Sequence, residues 1–422
     1  MADKTRRYLP SDWTIWTYTP EPGKFVLNYS VLDTGILGSA NGTIVQNTED
    51  IITALRISEG TQINQGIVGS IEPSTASIML NTSTLNTNIA DKYLVGQEIW
   101  ITLKNEETVD DKTYNKNTPF FRGFITSFAL DFEPGSKFAN ISLEAISKTS
   151  AQLNRQMAVV KNTTDTKQVV LTSAYQANGI TLIYLPYAMG DYHYGSTATE
   201  TKAVGEWLED FRACQFYIAT ETIINNSSFS NDTPKIGLSY QSFMRFVSPD
   251  APTSSEVTFN ESDIINAGLD WSGRDAPTAV TLTNYTNNSL VYNKGNSTDD
   301  TIGANNFTLT TDVKDSIEME KIGLKALSML PKFTPITITV KDAETYQNIT
   351  FKEVPLSISG TLPVQYQNHY LYPNKYVKVG SAITVNMPDY GINEIMLVTG
   401  KTISVTPDNW QTTYNLWKGF SN

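Results

Sequence analysis

The 422-residue sequence has one cysteine, Cys214, and two histidines, His193 and His369. One thiol cannot close an intramolecular disulfide, so no disulfide framework holds the chain. Cys214 lies in Phe211-Arg212-Ala213-Cys214-Gln215-Phe216, where an apolar helix runs into a strand, and reads as buried filler. The histidines are far apart, with no His-x-x-x-His, no Glu-x-x-His and no cysteine pair, so zinc-ligand spacing is missing. They also leave little general base for a Ser or Cys nucleophile. Both sit among aromatics, in Tyr192-His193-Tyr194 and Asn368-His369-Tyr370, and read as surface clusters.

Runs of positive charge are missing too. Lys4, Arg6 and Arg7 are the nearest to one, and the net charge is -12. An acidic chain repels phosphate backbones, which argues against nucleic acid as a general partner. No stretch approaches the run of about 18 apolar residues that spans a bilayer. The most apolar piece, Ile180 to Met189, contains Pro186. Met1-Ala2-Asp3-Lys4-Thr5 lacks the apolar centre of a signal peptide. The many Asn-x-Ser/Thr triplets are then expected from composition, not from glycosylation.

What the chain does have is 40% hydrophobic and only 18% charged residues, enough apolar surface to build cores. Its length implies two to four domains. Residues 1–35 read as an arm, with Trp13, Trp16, Tyr18 and Phe25 among prolines. Such a segment either packs back on its own domain or clasps a neighbour. Residues 36–150 read as a β module. Leu55 and Ile57 share a face before a break at Glu59-Gly60. Ala76 to Leu80 follows, then Ile99, Ile101 and Leu103 at period two, a charged hairpin or loop from Lys104 to Asn117, and alternation at Phe124, Thr126, Phe128, Leu130 and Phe132. Ile141, Leu143 and Ala145 close the series.

Residues 151–275 read as a mixed α+β middle domain. A helix is expected over Asp165 to Ala177. A second carries Val204, Trp207, Leu208 and Phe211 on one face, followed by a strand at Phe216 to Ala219. Residues 276–422 read as a second β module with one helix. Strands are expected at Ala279 to Leu282, Ile336 to Val340, Val354 to Ile358, Ile383 to Val385 and Tyr414 to Leu416, and a polar loop at Asn287 to Asn306. Asp315 can cap the helix bearing Met319, Ile322, Ala326 and Leu330. The fold class expected is mainly β: two related barrel-like modules with an intervening domain.

The modules share an ordered repeat. Val95-Gly96 feeds an alternating strand, and so does Val379-Gly380. Phe121-Arg122-Gly123-Phe124-Ile125-Thr126-Ser127 is matched to Val398-Thr399-Gly400-Lys401-Thr402-Ile403-Ser404, which pairs Gly123 with Gly400. Each half ends on an aromatic and a last strand, Phe138 before Ile141 and Trp410 before Tyr414. Recurrence in the same order points to duplication.

No catalytic motif survives inspection. Gly400-Lys401-Thr402 resembles the end of a phosphate loop, but the position for its leading glycine holds Ile395. Glu206, Glu209 and Asp210 flank Trp207 and offer carboxylates for glycoside hydrolysis, yet they read as the solvated face of a helix. Asp110-Asp111 and Asp299-Asp300 lack calcium-loop spacing. No catalytic, cofactor or metal residue is therefore expected. Two main classes stay open: an assembly protein, and a glycan-binding adhesin suggested by 11% aromatics with abundant Asn and Thr. A cell-wall hydrolase is a distant third.

The succession Thr53 to Gly60, Ala76 to Asn81, Val95-Gly96 with its strand and Phe121 to Ile125 resembles minor tail proteins of long-tailed bacteriophages, the tail-tip or baseplate hub family. The helix 316–330, Val379-Gly380 and the ending Ile403 to Leu416 fit the same pattern, so the likeness covers about residues 50–155 and 275–418. The resemblance implies a structural virion protein whose three subunits form a ring of six similar modules, joining the tail tube to the tip. It implies tail tube or distal tail, tape measure and tip or fibre proteins as partners, with genomic DNA only in transit and no membrane. Some members carry an appended hydrolase or receptor-binding domain, which is not expected in a chain that ends at Asn422 after its second module.

Overall fold

Period-two alternation builds the longest strands. The computed structural model describes residues 13–20, 42–47, 50–61, 71–82, 92–109, 112–134, 138–180, 192–212, 216–225, 240–255, 257–269, 278–284, 289–293, 306–329, 337–341, 377–407 and 409–421. The first run of strands comprises β1 (Trp13–Pro20), β2 (Gly42–Gln46), β3 (Ile51–Thr61), β4 (Ile71–Thr82), β5 (Glu98–Val109), β6 (Lys112–Phe132) and β7 (Ala139–Ser147). In β4, Ala76, Ile78 and Leu80 are wholly buried while Thr75 and Met79 face outward. Ile141, Leu143 and Ala145 repeat this in β7, because successive side chains of a strand point to opposite faces.

The middle holds α1 (Lys148–Leu153), β8 (Gln156–Lys161), α2 (Lys167–Ala177), β9 (Ala198–Ala203), α3 (Val204–Arg212), β10 (Ile218–Asn225) and β11 (Tyr240–Val247). Thr166 caps α2, its hydroxyl accepting from the Val169 amide at 3.4 Å. Val204, Trp207 and Leu208 of α3 are wholly buried and join Leu153, Met157, Leu171, Tyr194 and Phe246 in a core of their own. The Trp207 indole donates to the Met157 carbonyl at 3.0 Å, which satisfies its one polar group.

The remaining strands are β12 (Val257–Asn260), β13 (Ile264–Gly268), β14 (Ala279–Asn284), β15 (Ser289–Asn293) and β16 (Asn306–Thr311), then helix α4 (Ser316–Leu327), then β17 (Thr337–Lys341), β18 (Ala382–Met387), β19 (Ile392–Thr406) and β20 (Asn409–Trp417). Asp315 caps α4, accepting from the Ile317 and Glu318 amides at 3.0 Å each. Met319, Ile322 and Ala326 of α4 lie in the larger core, together with Val280 and Leu282 of β14.

One large sheet runs β13-β17-β20-β19-β3-β4-β7-β6-β5-β1-β2, with β18 also on β19 and β12 on β18. The pairings are antiparallel except β12 with β18. The chain is thus mainly β with a mixed middle, and among the described residues the sheet does not close into barrels. Four details refine the sequence reading. Strand β3 continues through Glu59-Gly60, because Gly60 at φ +155° takes an irregularity without ending the pairing. Trp13, Ile15, Trp16 and Tyr18 of the expected arm are buried in β1, which pairs with β5, so this part packs on its own chain. Strands β12 and β13, before residue 276, belong to the same large sheet as β17 to β20. Strands β14 to β16 form a separate three-stranded sheet beside α4. The strand expected at Val354 to Ile358 lies outside the described residues; of the expected Asn287–Asn306 loop, Ser289–Asn293 form β15 and Asn306 opens β16, and the rest lies outside them.

Candidate functional site, a repeated sheet with a polar face

Two sets of five strands in the large sheet have the same order. The first runs β3-β4-β7-β6-β5 and the second β13-β17-β20-β19-β18, each antiparallel throughout and each with its strands in the same chain order. Their turns match bond for bond. In the first, the Gly96 amide donates to the Ile125 carbonyl at 2.7 Å, the Ile125 amide to Gln97 at 3.0 Å and the Gln97 amide to Leu94 at 2.9 Å. In the second, Gly380 donates to Val398 at 2.7 Å, Val398 to Ser381 at 2.9 Å and Ser381 to Lys378 at 3.0 Å. The side chains of Gln97 and Ser381 also play one role, accepting from the Leu94 and Lys378 amides. Gly96 and Gly380 have φ of +86° and +87°, a region in which a Cβ is strained. Val95 is two-thirds exposed and Val379 is buried.

These bonds make Ile125 the counterpart of Val398, and the match extends through two β-bulges. The register of β6 on β7 skips Thr126, and that of β19 on β20 skips Thr399. Both skipped threonines spend their hydroxyls alike: Thr126 donates to the Glu144 carbonyl at 3.1 Å and Thr399 to the Asn415 carbonyl at 3.3 Å. The register of β3 on β4 skips Thr53, and that of β13 on β17 skips its counterpart Ile265. The sequence match of Gly123 to Gly400 is therefore displaced by four residues. Gly123 stands where the second set has Met396, and Gly400 where the first has Ser127. The two glycines answer to different neighbours. A Cβ at Gly123 would lie 2.0 Å from the Ile146 carbonyl oxygen, and one at Gly400 would lie 2.8 Å from the Asn415 amide nitrogen. Ile125-Thr126-Ser127 beside Val398-Thr399-Gly400 is the signal in the sequence that carries the true register.

The sets join edge to edge. Gly400 to Val405 of β19 pair with Gly60 to Leu55 of β3. At the joint, the Lys401 ammonium meets the Glu59 carboxylate at 2.9 Å, and the Ser58 and Thr402 hydroxyls lie 3.2 Å apart. One face of the joined sheet is apolar and buried; the other is a field of small polar groups. Along it run Asn266, Thr339, Thr413, Thr402, Ser58 and Thr75 in one row, and Gln411, Ser404, Arg56, Ser77, Glu144 and Ser127 in the next. Neighbours in these rows bond across strands: Thr339 with Thr413 at 2.9 Å, Ser77 to Glu144 at 2.8 Å. In these two rows Arg56 and Glu144 are the only charged residues, one of each sign, so acidic residues do not dominate them.

Away from these rows lie buried charges that sequence reading did not find, because each pairs residues far apart in the chain. Arg122 donates to Glu98 at 2.6 Å and stacks 4.3 Å over Trp100, all three buried. Burial alone would raise the Glu98 pKa, but Arg122 and Lys148 hold it below the ordinary carboxylate range. Buried Lys161 pairs with Asp312 at 2.8 Å and with Glu200; desolvation opposes its charge, and the two carboxylates still raise its pKa. His193, read as a surface cluster, is half-buried with Nδ1 2.6 Å from Glu318, tying the middle segment to α4. Glu221 of β10 carries its carboxylate into the junction among Glu59, Ser74, Ser147 and Thr149. Desolvation pushes its pKa to about 7, tempered by the three hydroxyls. This cleft is narrow and is lined by Glu59, Ser74, Ser150, Thr220, Glu221 and Met244 among others.

The other candidates do not assemble into a site. Glu206 is exposed, and Asp210 pairs with Lys202 at 3.1 Å on the outer side of α3. Gly400-Lys401-Thr402 is mid-strand. No group of three or more His, Cys, Asp or Glu side chains is placed to hold a metal among the described residues, and no described helix is long and apolar enough to cross a membrane. Cys214, His369, Asp110-Asp111 and Asp299-Asp300 lie outside the described residues. Trp13, Trp16, Trp100, Trp207, Trp410 and Trp417 are all buried, so none of them offers a sugar-stacking surface.

A search with the whole fold finds tail proteins. The tail protein from Neisseria meningitidis MC58 is 12% identical, with a TM-score of 0.54 and 96% of each chain covered. The chain shares the fold of that protein. The 43 kDa tail protein of prophage MuSo2 from Shewanella oneidensis is 10% identical over 89% of this chain and 95% of that one, with a TM-score of 0.48. The prophage tail protein gp18 from Listeria monocytogenes EGD-e is 9% identical over 97% and 95%, with a TM-score of 0.46. No family model matches the sequence, and no curated protein is similar to it at the level of sequence.

Proposed function

We propose that this chain is a non-enzymatic structural protein of a phage-type tail, a hub at the tail tip whose three copies form a ring of six similar modules. The observation that carries this reading is the repeated five-strand set, with its matched turns and bulges, joined edge to edge within one chain. A duplicated module gives three chains six similar faces, the arrangement by which a three-fold tip can meet a six-fold tube. The fold shared with the N. meningitidis tail protein supports the same reading. Tail tube or distal tail, tape measure and tip or fibre proteins are then its partners. The small hydroxyl and amide side chains of the polar face suit a lumen through which DNA passes without being held, because they offer few cations to phosphates.

The test is the symmetry of the chain in the particle. Cryo-electron microscopy of tails is expected to show three copies in one ring at the tip, and native mass spectrometry of the concentrated chain to show a trimer. A position on the tail surface, or a ring of any other copy number, would overturn the hub reading.

A further inference from the structure

The two five-strand sets differ at one edge. In the second set, Gly400 to Val405 of β19 are covered by β3 of the first. The matching stretch of the first set, Ser127 to Phe132 of β6, pairs with β7 on one side, and no described strand pairs with its other side. Strand β3 in turn has a counterpart, β13, which bonds to β17 and ends the sheet among the described residues. Among the described residues, one molecule therefore holds a filled joint, β19 with β3, and the two separated halves of a second joint of the same design.

The side chains agree. Ile403 and Val405 are 2% and 1% exposed, sealed by Leu55 and Ile57. Their counterparts are Leu130, which is half-buried, and Phe132, which is 52% exposed. The counterparts of Leu55 and Ile57 are Ala267 and Leu269, both half-buried and packed at the rim of the core. Apolar residues that face inward yet stay accessible are what a missing edge strand leaves behind. Six strands separate β6 from β13 in the sheet, and the two do not pair with each other among the described residues.

We infer that the open edge of β6 receives β13 of a second copy of this chain, antiparallel, with Leu130 opposite Leu269, Asp131 opposite Gly268 and Phe132 opposite Ala267. The register is that of the β19–β3 joint carried over residue by residue. Each copy gives one strand and accepts one, a head-to-tail contact that must close into a ring or continue as a filament. Because this joint repeats the internal one, every module meets its neighbours alike. The inference rests on self-association proposed above and adds its surface, its direction and its register.

A cysteine pair tests it in the full chain, with Cys214→Ser to remove the native thiol. Asp131→Cys and Gly268→Cys fall directly opposite across the joint, close enough for a disulfide. Position 268 corresponds to Arg56, so the strand design accommodates a side chain there. On mild oxidation most of the double variant is expected to become covalent oligomer ending at trimer on a non-reducing gel. The single variants should give none above the Cys214→Ser background. A register-shifted pair, Ala129→Cys with Gly268→Cys, should give less than a tenth as much. Trimers by native mass spectrometry without the cross-link at 131 and 268 would overturn this edge and leave the ring standing. An efficient, in-register cross-link that closes at another number would keep the edge and overturn the trimer. A chain that stays monomeric when concentrated and forms no cross-link would sink both.

Discussion

The two five-strand sets solve one folding problem with different interiors. At the start of β5 the first set buries Glu98, and across on β6 it buries Arg122, bonded at 2.6 Å. The counterparts in the second set are Ala382 and Ile395, with no charge at either place. Strand order, turns and bulges are common to both sets, so the ion pair is not needed to specify the fold. The comparison separates what the architecture demands from what one copy has adopted. Positive φ at Gly96 and Gly380 is demanded; the buried charges are not. Replacing a buried ion pair by apolar groups is often neutral or stabilising, whereas removing one partner strands a charge.

The largest effect should come from breaking that pair on one side. Arg122→Ile leaves Glu98 buried without its counter-ion and is expected to cost about 3–5 kcal/mol. The double change Glu98→Ala with Arg122→Ile copies the second set and should recover most of the loss. Urea unfolding followed by tryptophan fluorescence checks both. If the double variant is as unstable as the single one, the two interiors are not interchangeable, and the equivalence of positions 98 and 382 is wrong.

How far the sequence reveals this design depends on how local the cause is. The Val-Gly turns are legible because a positive φ leaves its mark at one position. The apolar faces of β4, β7, α3 and α4 are legible because periodicity is local too. The match of Gly123 to Gly400 misleads because each glycine is fixed by a neighbour from another strand: the Ile146 carbonyl in one case, the Asn415 side chain in the other. Strand β13 passes unnoticed because Ile264–Gly268 is short and its pattern is interrupted by the bulge at Ile265. Pairs such as His193 with Glu318, or Lys401 with Glu59, join residues whose meeting only the completed fold arranges. The joint between the sets belongs to the same class, since no property of β3 alone says that it will lie on β19.

A second contrast lies at the ends of the sets. The first abuts β10, which brings the Glu221 carboxylate against Glu59, Ser74 and Ser147. Desolvation raises the folded pKa of Glu221 to about 7 from an ordinary 4.5. Below the lower value both folded and unfolded chains hold the proton. As pH rises from there, the unfolded chain releases it first, so the folded state loses stability up to about pH 7 and gains none back above it. The loss across this window is roughly 3 kcal/mol. Glu221→Gln should remove this dependence and leave the variant the more stable at pH 8, as measured by thermal unfolding at a series of pH values. Equal slopes for variant and parent would show that the junction is wetter than the structure indicates.

The smallest effect tests the turns, where the sets are most alike. Gly96→Ala should cost about 1 kcal/mol, the price of a Cβ at φ +86° with open space around it. Gly380→Ala bears the same backbone strain at φ +87°, but its Cβ would lie 2.7 Å from Cγ2 of Val247 on β11. It should therefore cost about 1–3 kcal/mol more, the range for overpacking. Adding Val247→Ala to Gly380→Ala clears the contact and should narrow the gap between the turns. The urea midpoints of the four variants decide the matter. If Gly380→Ala is no worse than Gly96→Ala, then β11 does not press on the second turn. The two turns would then differ only in sequence, and the middle segment would have to be held against the second set by other contacts, such as the Pro249 carbonyl accepting from the Phe420 amide at 3.0 Å.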